Sequence, residues 1–192
     1  MGKHVLVFKG SPREKGNSAV LAKKFCQTAE SLGASVRTFS LNTLNFRGCQ
    51  GCMACKTKSD KCVMKDDLEA VLEAVRESDV LVLASPVYMG DVTCTMRAFI
   101  ERSYSYFVPD FFTHPNPSRL APGKKLVFIQ TQGQPNEKLF ADIFPRTEPF
   151  LKRVGFPECH FIRACGVRKL GEVEGREAEM KLAEETARKI LG

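Results

Sequence analysis

The chain has 192 residues, 43% of them hydrophobic, and its 29 Lys and Arg against 22 Asp and Glu leave a net charge of +7. That size suits one globular domain over 1–192 with a sizeable core, and no apolar run approaches the roughly 20 residues needed to cross a bilayer. The basic residues are interleaved with carboxylates, which describes a solvated mixed surface and not a nucleic-acid footprint.

No signal-peptide pattern precedes the first apolar run, so a cytoplasmic protein without membrane association is expected. Eight cysteines in a chain this long and regular argue against a disulfide scaffold and for metal, cluster or redox chemistry.

Residues 4–8 read as a strand, and a helical pattern starts near Ser18. Between them lies Gly10-Ser11-Pro12-Arg13-Glu14-Lys15-Gly16-Asn17-Ser18. A strand, a turn of small and hydroxyl residues and then a helix is an arrangement that holds a phosphate. The helix start offers unpaired N–H groups and the positive end of the helix dipole. Gly10 and Gly16 allow close backbone approach, Ser11, Asn17 and Ser18 add neutral donors, and Arg13 or Lys15 adds charge. Five residues separate the glycines and Asn17-Ser18 follows, so this is not a P-loop. Ser11-Pro12 after Gly10 also excludes the G-x-G-x-x-G fingerprint. The competing reading is an ordinary strand–helix turn whose Ser and Asn cap the helix.

A helix over 18–32, ended by Gly33, and a strand over 35–39 follow. Residues 42–65 break this rhythm and carry Cys49-x2-Cys52-x2-Cys55-x6-Cys62. With Gly48 and Gly51 the loop can fold back so that the thiolates converge. The spacing resembles the start of a bacterial ferredoxin run, in which the fourth cysteine falls three residues on and precedes proline; here it falls six on and precedes Val63. Three readings compete: a [4Fe-4S] cluster, a four-thiolate zinc site, and free thiols. Zinc sites usually separate two C-x2-C pairs by a longer span. Cys26, Cys94, Cys159 and Cys165 are isolated and expected to be small core residues.

A helix over 66–77, opened by Asp66-Asp67, leads to the strand 80–84, which is continuously apolar as a strand covered on both faces should be. The loop 85–91 and a helix over 93–103 come next. Residues 104–123 form a second irregular segment, with Tyr104, Tyr106, Phe107, Phe111 and Phe112 among four prolines. Its composition fits a lid, a binding wall or a subunit contact, with a locally packed loop as the alternative. A strand over 125–130, the loop 131–134, a helix over 138–154, a strand over 159–164 and a helix over 174–191 complete the chain.

Alternating strands and helices argue for an α/β three-layer sandwich around a five-stranded parallel sheet. Ligands of such sheets collect at the carboxyl ends of the strands. There, residues 85–91 and 131–134 can supply a backbone edge and a flat face beside the phosphate loop. One phosphate plus one flat ring system fits a flavin mononucleotide better than a nucleoside triphosphate.

The loop 10–18, Ser85-Pro86-Val87-Tyr88-Met89-Gly90 and Thr95-Met96-Arg97-Ala98-Phe99-Ile100-Glu101-Arg102 together resemble the NADPH-dependent FMN reductase family of the flavodoxin-like fold, from His4 to about Arg168. The family pattern there reads S-P-x-Y-x-G and then a helix ending F-I-D-R, with Glu101 here in place of the Asp. The resemblance implies strand order 2-1-3-4-5. It implies FMN phosphate binding by Ser11, Arg13, Asn17 and Ser18, and an isoalloxazine bordered by Pro86, Val87, Tyr88, Met89 and Gly90, with Thr131 and Gly133 on its other side. The compact cysteine run looks like that of the iron–sulfur flavoproteins, a branch of the same family, and by that likeness Cys49, Cys52, Cys55 and Cys62 hold a [4Fe-4S] cluster near FMN.

The expected protein is therefore an FMN-dependent oxidoreductase passing electrons from NAD(P)H or a ferredoxin-type donor to a small acceptor such as a quinone, a flavin or an oxygen species. The alternatives are a flavodoxin-like carrier and a cluster-free FMN reductase. The flavin carries the hard step, so no catalytic acid–base pair is expected, and His4, His114 and His160 form no triad. A homodimer or homotetramer covering the flavin is expected from the family likeness.

Overall fold

A computed structural model describes residues 2–192. In chain order β1 (His4–Lys9), α1 (Asn17–Ser31), β2 (Ser35–Ser40), a single turn α2 (Ala54–Thr57), α3 (Leu68–Glu77), β3 (Val80–Pro86) and α4 (Cys94–Arg102) are followed by β4 (Lys125–Gln132), α5 (Ile143–Val154), β5 (Glu158–Cys165) and α6 (Glu177–Leu191). The strands lie in the order β2-β1-β3-β4-β5, and each neighbouring pair is parallel. This is the order the family likeness implies.

Successive strand residues face opposite sides of a sheet, and here both sides are apolar. Leu6, Phe8, Leu81, Leu83, Leu126 and Phe128 pack under α3, α4 and α5. Val5, Val7, Val80, Val82, Val127 and Ile129 pack under α1 and α6. The unbroken apolar run of β3 follows from this burial on both faces. Among the described residues no helix is long and apolar enough to cross a membrane.

Two helices are shorter than their sequence pattern by three residues or more. The helix expected over 138–154 starts only at Ile143. The side chains of Gln130, Gln132 and Arg163 seize the carbonyls of Gln134, Asn136, Leu139 and Phe140, and Phe140 adopts φ 63°. Carbonyls drawn toward these side chains, and a residue in the left-handed region, do not extend a helix. The last helix starts at Glu177, because Glu172–Gly175 form a separate 3-10 turn after Gly171 at φ 67°.

The aromatic segment is anchored more firmly than a mobile lid. Tyr106 and Phe107 are buried, Phe107 stacks on Phe111 at 4.6 Å, and only Phe112 projects, 78% exposed. Cys94 is exposed and Cys26, Cys159 and Cys165 are half-buried, so none of the isolated cysteines is a fully buried core residue. Cys94 occupies the first position of α4 and is exposed there, so the expectation of a core residue does not hold for it.

The Tyr106 hydroxyl donates to the carbonyl of Leu72 at 2.9 Å with no access to solvent. Tyr106→Phe leaves that carbonyl without this donor and lowers stability by about 1–3 kcal/mol, measurable as a reduced urea midpoint at unchanged m-value.

Candidate functional site

The turn after β1 is drawn tight by small residues. The Gly10 N–H donates to the Ala84 carbonyl at 2.8 Å, and its own carbonyl accepts from the Asn42 side chain at 2.6 Å. A Cβ on Gly10 would stand 2.7 Å from the Thr93 hydroxyl, and one on Gly16 would stand 2.8 Å from the Ser11 hydroxyl and 3.0 Å from the Arg13 carbonyl. Gly16 caps α1 with no side chain, so the competing reading of a Ser- or Asn-capped turn does not hold here. The first intrahelical bond runs from Val20 N–H to the Gly16 carbonyl. The amides of Asn17, Ser18 and Ala19 thus stay free of backbone partners at the positive end of the helix.

The Asn17 side chain is engaged elsewhere. It donates to the Lys169 carbonyl at 3.0 Å and accepts from the Val173 N–H at 3.1 Å, binding the chain beyond β5 to the loop. Asn17 therefore offers an anion its backbone N–H and not its carboxamide.

The loop after β3 turns back on itself. Tyr88 and Asp91 exchange both backbone hydrogen bonds, at 2.8 and 3.1 Å, with Met89 at φ 48° and Gly90 at φ 86° between them, the signature of a type I′ turn. A methionine held at positive φ and fully exposed at a turn tip is a strained position of the kind found at binding sites. The Val87 N–H is spent on the Thr131 carbonyl at 2.8 Å, so the free edge of this loop is that of Met89 and Gly90. The Phe140 ring packs beside Gly90, and Arg146 reaches Asp91 at 3.7 Å.

These pieces meet. All the residues expected around a phosphate and a flat ring except Met89 and Gly90 line one cleft of about 310 Å³ at the carboxyl edge of the sheet. Met89 and Gly90, the next two residues after Tyr88, lie outside that lining. Val167 and Arg168 join the lining; Arg168 donates through Nε to the Gly133 carbonyl at 2.8 Å. The sequence reading missed both, although β5 ends at the same edge as the other strands and Gly166, at φ 74°, marks the turn there.

The four cysteines of the loop 49–62 line a second, smaller pocket of about 20 Å³, together with Met53, Arg102 and Tyr104. Gly51 at φ 63° and Met53 at φ 58° fold the chain around it. Cys49 and Cys52 are exposed, Cys62 is half-buried and Cys55 is buried on α2. Among the described residues no three His, Cys, Asp or Glu side chains come close enough to hold one metal ion. The thiols ring the pocket and do not meet at a point. The two pockets share no lining residue.

The ground around the cysteines is cationic. Lys56 is buried, donating to the carbonyls of Tyr104 at 2.7 Å and Phe107 at 2.8 Å. Arg119 donates to the carbonyls of Cys55, Asp60 and Ser105. Arg102, 1% exposed, pairs with Asp66 at 2.7 Å. Burial opposes ionisation of Asp66, but the Arg102 guanidinium outweighs it and holds the carboxyl below its usual range. Glu101, in place of the family's Asp, sets its carboxylate against Gly48.

The model of the family described as NADPH-dependent FMN reductase matches residues 4–142. The chain is 36% identical over 97 residues to an iron-sulfur flavoprotein of Archaeoglobus fulgidus, covering 50% of this chain and 44% of that one. It is 32% identical over 99 residues to an iron-sulfur flavoprotein of Methanocaldococcus jannaschii, covering 52% and 51%. The chain spans about half the length of the curated relatives it matches. Among solved structures it resembles an NAD(P)H:quinone oxidoreductase from Methanothermobacter marburgensis, with TM-score 0.76, 18% identity and coverage of 99% and 98%. An FMN-dependent NADH-azoreductase from Bacillus anthracis, in complex with FMN, gives TM-score 0.73, 14% identity and coverage of 100% of both chains. Those two likenesses establish the fold.

Burial pushes the Cys26 thiol up to about 12 and the Cys159 thiol up to about 11. At pH 8 roughly one Cys26 thiol in ten thousand is then the reactive thiolate. Iodoacetamide on metal-free protein at that pH should label Cys49, Cys52 and Cys94 and spare Cys26 and Cys159, as peptide mass mapping will report.

Proposed function

The chain belongs to the NADPH-dependent FMN reductase family, and from that premise we propose that it is an FMN-dependent oxidoreductase taking electrons from NAD(P)H or a ferredoxin-type donor. The observation that carries the reading is the cleft, where loops from four strand ends combine a helix start without a side-chain cap and a slot walled by Pro86, Val87 and Tyr88. Bound FMN supplies electron chemistry that no side chain of this chain can. The protein's part is to hold and orient. The α1 amides and the Ser11 and Ser18 hydroxyls grip the phosphate, with Arg13 adding charge. Pro86, Val87 and Tyr88 form one wall for the ring, the Met89–Gly90 turn meets its edge, and Thr131 and Gly133 close the opposite side.

We further propose that Cys49, Cys52, Cys55 and Cys62 hold a [4Fe-4S] cluster, as the names of the relatives suggest. The fit rests on this chain's own groups. Four thiols line one pocket, three cations lie around them, and a thiolate-held centre brings negative charge to a neighbourhood where only Arg102 has a carboxylate partner. A single tetrahedral zinc, with sulfurs about 2.3 Å away, asks for thiols that meet at a point, and here they are spread. A larger centre requires the pocket to widen, and the segment from Cys49 to Met53 is the exposed side of it. Such a cluster supplies one-electron transfer when bound. Quinones, flavins and oxygen species are the acceptors proposed. The exposed turn at Met89 is where an acceptor and a nicotinamide take turns.

The decisive experiment is an absorption spectrum of anaerobically purified protein, with iron and acid-labile sulfide measured on the same sample and turnover with NAD(P)H and a quinone. Flavin bands with about four irons per chain and turnover support both proposals. Flavin without iron leaves a cluster-free reductase, and flavin without turnover leaves an electron carrier. Ser18→Asp places a carboxylate against the phosphate at a site 1% exposed; the expected outcome is more than tenfold weaker FMN retention at unchanged fold, read by flavin fluorescence. Assembly is proposed through the groove of about 460 Å³ between α4 and α5, beside exposed Phe150. Phe112→Ser with Phe150→Ser should then reduce the mass seen by light scattering.

A further inference from the structure

We propose that Arg102 is a positioning residue for the cysteine-held centre: its Nε–H, which has no acceptor in this structure, would donate to the Cys62 sulfur when the centre is bound, while its terminal nitrogens hold Asp66. The proposal rests on the reading that the four cysteines hold an iron–sulfur cluster.

Arg102 ends α4 with its side chain removed from solvent. Nη1 donates to the Arg47 carbonyl at 2.9 Å and to Asp66 Oδ2 at 2.7 Å, and Nη2 donates to Asp66 Oδ1 at 3.2 Å. Those bonds satisfy the outer edge of the guanidinium. Nε–H is buried and has no acceptor, a state that native proteins rarely tolerate. The same side chain lines the pocket of the four cysteines. Cys62 lines that pocket too, and it is the half-buried member of the quartet.

The geometry also explains the wide last spacing of the motif. Arg47 and Asp66 bracket the cysteine loop, one just before Cys49 and one just after Cys62. Asp66 Oδ2 also accepts from the Arg47 N–H at 3.4 Å. One side chain thus gathers both ends of the loop, so Cys62 can join the quartet although six residues separate it from Cys55. A fixed positive charge and a hydrogen bond at a ligand sulfur both favour the reduced, more negative centre.

The test uses anaerobically loaded protein and compares wild type, Arg102→Lys and Asp66→Asn by iron and sulfide content, circular dichroism and an EPR-monitored redox titration. Lysine keeps a positive charge but lacks the fork, whereas Asp66→Asn weakens the ion pair and leaves Nε in place. The expected result is a potential for Arg102→Lys lower by a tenfold change in the one-electron equilibrium, about 59 mV, with Asp66→Asn not lowered. An unshifted Arg102→Lys, or an equal fall in both variants, overturns the proposal and leaves the cluster reading standing. Wild-type protein without iron and sulfide overturns the cluster reading and this proposal with it. Should Arg102→Lys not fold, wild-type protein carrying 15N-labelled arginine decides. A 15N coupling in the pulsed EPR of the reduced centre supports the contact, and its absence overturns it.

Discussion

Five strands running in one direction force every connection after a strand to leave from the same edge of the sheet. That constraint places everything else in this protein. Parallel pairing requires long crossovers, so each strand end is followed by a loop and then a helix packed back on a face. The loops after β1, β3, β4 and β5 are thereby brought side by side, although Ser11 and Arg168 lie far apart in the chain. The core is what makes the constraint binding. Alternate strand residues feed two apolar layers, and reversing a strand would break the register of both.

Within that frame the cleft is shaped by polar side chains turned against the backbone. Asn17 spends its carboxamide on the chain beyond β5 and so joins the first loop to the last. Gln130, Gln132 and Arg163 grip the loop beyond β4 by its carbonyls and hold Phe140 in a conformation its own preferences oppose. Phe140 then abuts Gly90, so the turn with the strained Met89 has a fixed wall behind it. Rigid supports under small, strained turns are what a flat ligand requires, because a slot that collapses when empty costs binding energy to reopen.

The cysteine loop obeys a different logic. It has little apolar surface to bury, and buried cations fasten it to its surroundings. Lys56 ties it to carbonyls of the aromatic segment, Arg119 of that segment donates back to the loop carbonyls of Cys55 and Asp60, and Arg102 ties the loop's two flanks together through Asp66. Of these three buried or half-buried positive charges only Arg102 has a carboxylate partner. The aromatic segment consequently has two duties. Tyr106 and Phe107 fill the core, while the carbonyls of Tyr104 and Phe107 receive Lys56.

Periodicity and local chemistry determined the layered α/β fold, the five strands, the phosphate-type loop and the cysteine quartet, because each is encoded in neighbouring residues. The run of β3 has to be covered on both sides, and Gly10 to Ser18 has to turn tightly into a helix. The family likeness then implied the strand order and the residues that line the cleft. Tertiary structure decided the rest. The start of α5, the diversion of the Asn17 side chain, the entry of Val167 and Arg168 into the cleft and the orphaned Nε of Arg102 all depend on partners distant in sequence. Which of several possible hydrogen bonds a polar side chain makes is settled only when the packed chain removes the water that would otherwise satisfy it.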